Sequence, residues 1–189
     1  MEVYGKQKLK PKDIKLIIIT HGHQDHVGSL RAIKNRTKAQ ILIHAHDGLL
    51  LNAGISPKVY PTIWILKKFY NPDKELKITP VKSDIIITDE YSLEEFGING
   101  KVIHTPGHTK GSITVIVDSK YAFVGDLAMK IPPLSFSYEP IIAENLKQVY
   151  SSWQKIIDYG VEEIYPSHGK IFNIKLLSKI LNKRKGKEK

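Results

Sequence analysis

Cysteine is absent from the 189 residues, which excludes disulfides, thiolate nucleophiles and cysteine-held zinc. Any metal must therefore be held by histidine and carboxylate. Long apolar runs are absent too: Leu16–Ile19 and Ile85–Ile87 fall far short of a membrane span. The opening MEVYGKQKLK lacks the apolar core of a signal peptide, so we expect a cytoplasmic chain with no membrane partner. Arginine is scarce, 3 residues against 26 lysines, and the lysines are spread along the whole chain. The net charge of +10 therefore reads as a solvated lysine-rich surface in preference to a nucleic-acid footprint, which stays the alternative. The 27 isoleucines beside that lysine fit nucleotide bias or a hot-environment source.

What is present suits one domain: 41% apolar and 25% charged residues can bury a core. We expect a single domain over 1–182 and a frayed basic tail over 183–189. No repeat or linker divides the chain. Lys15–Thr20 and Ala39–His44 read as buried strands, Gly28–Arg36 and Asp47–Asn52 as helices. Residues Pro57–Tyr70 carry Val59, Ile63, Leu66 and Tyr70 at helical spacing and predict an amphipathic helix, with Trp64 and Phe69 as core. Beyond the turn at Asn71–Pro72, strands are expected at Ile85–Thr88, Tyr91–Phe96 and Lys101–Thr105. Ser112–Asp118 and Tyr121–Val124 should form a hairpin. Glu144–Tyr159 predicts a helix with Trp153 in its apolar stripe, Glu163–Pro166 a strand and Ile174–Leu181 a last helix. The mixture points to an α/β or α+β class with layered packing.

Histidines cluster in one hexapeptide, His21-Gly22-His23-Gln24-Asp25-His26. Alternate residues of an extended segment point the same way, so His21 and His23 can chelate one cation while Asp25 and His26 turn towards a second. Imidazole plus carboxylate suits zinc, and also iron or manganese. Three further segments follow predicted strands: His104-Thr105-Pro106-Gly107-His108-Thr109-Lys110-Gly111-Ser112, Val124-Gly125-Asp126 and Tyr165-Pro166-Ser167-His168-Gly169. Such strand-end loops are where layered folds place their sites. His104 reads as structural, and His44 and His46 as structural or pocket-lining. Lys130 and Tyr138, on a loop after Asp126, are candidates to touch substrate, and Thr20, Thr109 and Ser112 to orient imidazoles.

This ordered set, H-x-H-x-D-H, T-P-G-H-T-x-G-S, V-G-D and P-x-H-G, resembles the metallo-β-lactamase superfamily from Ile14 to about Phe172. The resemblance implies a four-layer αββα sandwich with a binuclear centre. Carried over by motif, His21, His23 and His108 would hold one metal, Asp25, His26 and His168 the other, and Asp126 would bridge them. Two divalent ions, zinc first, would activate a water for attack, with Asp25 accepting its proton. Asp126 stands where one large class of true β-lactamases carries cysteine, which argues against drug hydrolysis. The pattern is closer to glyoxalase II-like thioesterases, lactonases and tRNA-processing nucleases. We therefore expect a hydrolase of a small ester, thioester or lactone. A phosphodiesterase acting on RNA or DNA is the alternative, and a non-catalytic metal-binding or self-associating remnant a third. Members of the family usually begin with several strands before H-x-H-x-D-H. Only twenty residues precede His21 and Met1–Pro11 shows no strand pattern, so about a quarter of the usual domain is expected to be missing. An open sheet edge would favour a homo-oligomer.

Overall fold

The structure is a computed structural model describing residues 9–71, 74–135 and 137–186. The expectations for residues 1–8, the turn at Pro72 and the tail residues 187–189 lie outside these. The elements in order are β1 (Leu16–Ile18), α1 (Gln24–Val27), α2 (Leu30–Thr37), β2 (Gln40–His44), α3 (Ala45–Ala53), β3 (Tyr60–Pro61), α4 (Trp64–Lys67), β4 (Ile85–Ile87), β5 (Glu90–Ser92), β6 (Gly100–His104), β7 (Ile113–Val117), β8 (Tyr121–Gly125), β9 (Ile142–Ala143), α5 (Leu146–Asp158), β10 (Glu163–Pro166), β11 (Phe172–Asn173) and α6 (Lys175–Lys185). Among the described residues no helix is long and apolar enough to cross a membrane.

Two sheets carry the fold. The first has the order β1-β2-β4, all parallel, and the second β11-β10-β8-β7-β6-β5. Isoleucine-rich strands suit the first sheet because both of its faces are covered. On β2, Ile41 and Ile43 join Val27, Leu30 and Leu51 of the helices on one side, while Leu42 joins Val102, Ile113 and Val115 of the second sheet on the other. The period-two alternation thus reads directly as two different cores. The far face of the second sheet, through Ile103, Ile116, Val124 and Ile164, packs on Trp153 and Ile156 of α5 and Leu177 of α6. The layers are helix, sheet, sheet, helix, as the resemblance implied.

Helix α5 shows why its segment folds as it does. Asn145 caps it, accepting from the N–H groups of Lys147 and Gln148. Val149, Trp153 and Ile156 fall on one buried stripe. The Trp153 indole N–H donates to the carbonyl of Leu127, 2.9 Å away, which anchors the chain next to Asp126.

The long amphipathic helix expected over Pro57–Tyr70 does not form. Pro57 and Pro61 remove amide donors, and Tyr60–Pro61 instead pair antiparallel with Ile142–Ala143. Only the four-residue α4 remains, and Trp64 and Phe69 are 69% and 83% exposed, not core. The helix expected over Gly28–Arg36 is observed as α2, Leu30–Thr37, in which Ile33 is exposed, and a separate short helix, α1, precedes it at Gln24–Val27. The predicted strand Tyr91–Phe96 stops at Ser92 and continues as a 3₁₀ turn at Glu94–Phe96. The last helix runs on to Lys185, so the first three residues of the expected tail are helical.

Candidate metal centre

Every candidate ligand lies at or just past a strand end. His21 and His23 follow β1, and Asp25 and His26 form the first turn of α1. His108 lies in the loop after β6, Asp126 directly follows β8, and His168 follows β10. Strands β6, β8 and β10 run in one direction, since β7 is antiparallel to both β6 and β8 and β10 is parallel to β8. Their carboxyl ends therefore open on the same side of the sheet, and all seven side chains converge there.

They form two overlapping groups. Ligand atoms of His21, His23, His108 and Asp126 lie within 4.8 Å of one another, and so do those of Asp25, His26, Asp126 and His168. Asp126 belongs to both. Its oxygens lie 3.8 Å from His21 Nε2, 3.3 Å from His26 Nε2, 3.7 Å from His108 Nε2 and 3.6 Å from His168 Nε2. Asp25 Oδ2 lies 3.2 Å from His168 Nε2 and 3.4 Å from His26 Nε2.

The outward-facing nitrogens fix the rings. His23 Nε2 lies 3.2 Å from the Pro57 carbonyl and His108 Nδ1 3.0 Å from the Ile142 carbonyl. Each of those nitrogens must carry the proton, because a carbonyl only accepts. The inner nitrogens, His23 Nδ1 and His108 Nε2, then face each other as lone pairs 3.0 Å apart. His21 Nε2, His26 Nε2 and Asp126 Oδ1 are buried without a hydrogen-bond partner. Lone pairs aimed at one another and orphaned buried acceptors are costly, and a cation between them resolves both. The residues fit a metal.

Electrostatics agree. Burial, then the like charge of neighbouring imidazoles, holds His21 well below its ordinary pKa, and the same causes bring His108 down to about 4. Burial also lowers His23. Neutral imidazole is the ligating form. Burial opposes charge on His26, yet the Asp126 carboxylate 3.3 Å away raises its pKa. Burial likewise opposes ionisation of Asp126, and the surrounding imidazoles overcome it and lower its pKa.

The supporting residues differ from expectation. The Thr20 hydroxyl does reach an imidazole, 3.2 Å from His21 Nδ1. Thr109 and Ser112 do not. The Thr109 hydroxyl donates to Asp47 and its N–H to the Ser112 hydroxyl, so they shape the loop and not the ring. Asp47 itself escaped notice, because an acid in the first turn of a helix reads as a favourable dipole partner. No local pattern marks it, because its partners lie 25, 62 and 64 residues away. His104 is structural as expected, with Nε2 2.8 Å from the Lys110 carbonyl and its ring stacked on His44 at 3.8 Å.

A cavity of about 470 Å³ opens on the cluster. His23, Asp25, Asp126 and His168 line it together with apolar Val59, Leu76, Met129, Ile131 and Ile141 and the cations Lys58 and Lys74. Lys130 and Tyr138 are not in its lining. The Tyr138 ring packs 4.0 Å from that of Phe172, with Lys130 Nζ 5.4 Å from its centre, so the two serve packing. Part of the lining comes from the irregular segment that the sequence predicted as a helix.

A four-layer sandwich with a two-lobed histidine–carboxylate cluster at its strand ends defines a metal-binding class of protein. The family profile of the metallo-beta-lactamase superfamily matches residues 2–168, and the chain belongs to that superfamily. It is 28% identical over 160 residues to a beta-lactamase-like protein 2 homolog of Drosophila melanogaster, covering 84% of this chain and 46% of that one. It is 31% identical over 110 residues to a hydroxyacylglutathione hydrolase of Shewanella pealeana, covering 58% and 31%. The chain thus spans less than half the length of either relative. Among solved structures, TTHA1623 in a di-iron-bound form shares the fold at TM-score 0.62 and 18% identity, covering 94% of this chain and 78% of that one.

Proposed function

We propose that this chain is a metal-dependent hydrolase with a binuclear centre, acting on a small ester, thioester or lactone. The observation that carries the proposal is the pair of four-residue groups sharing Asp126. His21, His23 and His108 would hold one ion, Asp25, His26 and His168 the other, with Asp126 between them. Bound there, divalent ions supply Lewis acidity and an activated water near neutral pH. Zinc suits this borderline nitrogen and oxygen donor set, and iron suits it too.

The chain's own residues do the rest. The carbonyls of Pro57 and Ile142 hold His23 and His108 in the tautomers that present a lone pair inward. Asp25, more than half exposed and facing the same cavity, is placed to accept a proton at Oδ2 and pass it to solvent. Met129, Ile131 and Ile141 give the cavity an apolar lining that excludes water from part of a bound acyl group. The Shewanella relative is named a hydroxyacylglutathione hydrolase, and an acyl group on the glutathione sulfur is a thioester, which supports that substrate class here. A phosphodiester is the second reading, favoured by Lys58 and Lys74 in the cavity lining and by the net charge of +10.

Elemental analysis of the folded protein, followed by thioester, lactone and phosphodiester assays, tests this. The expected result is about two metal ions per chain, lost together with hydrolysis in Asp126→Ala. A folded protein that takes up no metal when zinc is supplied overturns the proposal.

A further inference from the structure

We infer that Asp47 is a positioning residue that sets the three-histidine half of the centre without touching metal. The inference rests on the metal-binding reading above. Asp47 sits in the first turn of α3 and is 1% exposed. Its Oδ2 accepts from the Gly22 N–H and from the Thr109 hydroxyl, both at 2.9 Å. Its Oδ1 accepts from the Gly111 N–H at 3.0 Å. Gly22 lies between His21 and His23, and Thr109 follows His108. One carboxylate therefore ties the two loops that carry all three histidines of this group. Among the described hydrogen bonds, none joins Asp47 to a ligand imidazole.

The site is built for a carboxylate. A Cβ on Gly111 would collide with the Asp47 carboxyl, so glycine alone lets that amide approach. Three donors and no acceptor face it in these bonds, and the two backbone amides are taken by different oxygens. In Asp47→Asn, whichever way the new amide faces, its –NH₂ meets one of those two N–H groups, so one of the two backbone tethers is lost. The volume is unchanged, so packing is not the variable. Among the described hydrogen bonds no single side chain ties the other group in this way: Asp25 and His26 sit on α1, and the His168 loop is held separately by the Lys130 N–H donating to the His168 carbonyl and the Ser167 N–H to the Gly125 carbonyl, both at 3.0 Å. The two halves should therefore respond differently.

The test is zinc binding to the full chain against a competing chelator, alongside thermal melts of the metal-free protein. In wild type two zinc ions bind. In Asp47→Asn the metal-free protein still melts cooperatively, but one ion is held about 10–100-fold more weakly, while the other keeps its affinity. Cobalt substitution identifies the weakened ion through loss of the absorption of the histidine-rich site. Thr109→Val, which removes one donor and leaves both amide bonds, gives a smaller loss at the same ion and serves if Asp47→Asn does not fold. Two ions held by the Asp47 variant as tightly as by wild type overturn the inference and leave the hydrolase proposal standing. Equal weakening of both ions also overturns it. A wild-type chain that binds no zinc removes both.

Discussion

His23 and His108 present ring nitrogens to each other 3.0 Å apart, while each gives its outer N–H to a backbone carbonyl, of Pro57 and of Ile142. The carbonyls leave no proton to share between the rings. Metal should therefore stabilise the folded chain strongly. At free zinc of 100 times the dissociation constant the gain is about 2.7 kcal/mol. At about 2–4 °C per kcal/mol for a chain of this size, chelation should lower the melting temperature by about 5–11 °C. Calorimetry with and without chelator measures this, and coincident melts would count against a metal held by this pair.

Gly107 has φ of +139°, and a Cβ there would collide with the backbone of Val149 in the first turn of α5. The contact is tight because the Asn145 N–H donates to the Gly107 carbonyl and the Glu144 N–H to the His108 carbonyl, both at 2.9 Å. Gly107→Ala should cost at least the backbone strain of about 1–3 kcal/mol, and should weaken metal binding because His108 is the next residue. Denaturant unfolding and zinc titration of the one variant check both.

Trp153 joins the α5 core to the strand-end loop by its indole N–H on the Leu127 carbonyl. Trp153→Phe leaves that carbonyl unpaired in a buried setting, at a cost of about 1–3 kcal/mol. Trp153→Ala adds a cavity and should cost about 3–5 kcal/mol. Equilibrium unfolding in urea orders the two, and Phe should sit between wild type and Ala.

Acid should destabilise the fold partly through His44. Burial, then the neighbouring His104, brings its pKa down to about 4 from an ordinary 6.5. His46 lies on its other flank, and His44 Nε2 meets the Thr88 carbonyl at 3.1 Å. Between those two values the unfolded chain binds more protons than the folded one, so stability rises with pH across the window. The contribution is complete above about pH 6.5 and is lost as pH falls towards 4. Unfolding of the metal-free protein at pH 7.5 and pH 5 should show a smaller acid loss in His44→Gln than in wild type. Equal losses would exclude His44 as a contributor.

Much of this was legible from residue order. The alternation of Ile41, Leu42 and Ile43 and the stripe of Val149, Trp153 and Ile156 announced strand and helix because periodicity follows from burial on one face or two. The seven candidate ligands were legible because each needs a strand end and a particular side chain. What stayed hidden depended on partners distant in sequence. Tyr60–Pro61 became a strand only through Ile142–Ala143, eighty residues away, which left Trp64 and Phe69 exposed. The hydrogen bonds of Asp47 come from Gly22, Thr109 and Gly111, all distant in sequence, and helical spacing alone cannot reveal them. Tyr138 packs on Phe172 and Lys130 lies over the Tyr138 ring, away from the cavity, again contacts no local pattern predicts.

The parallel pairing of β10 with β8 has a consequence for synthesis. His21 is made early and His168 late, and the strand that delivers His168 joins the sheet only after α5 has crossed its face. Parallel, non-local pairing of this kind forms slowly and late. On the ribosome the histidines of the first loop therefore emerge well before their last partner exists. The complete cluster can form only once the chain is out through His168, so capture of metal by all seven residues would mark the closing of the sheet that carries them.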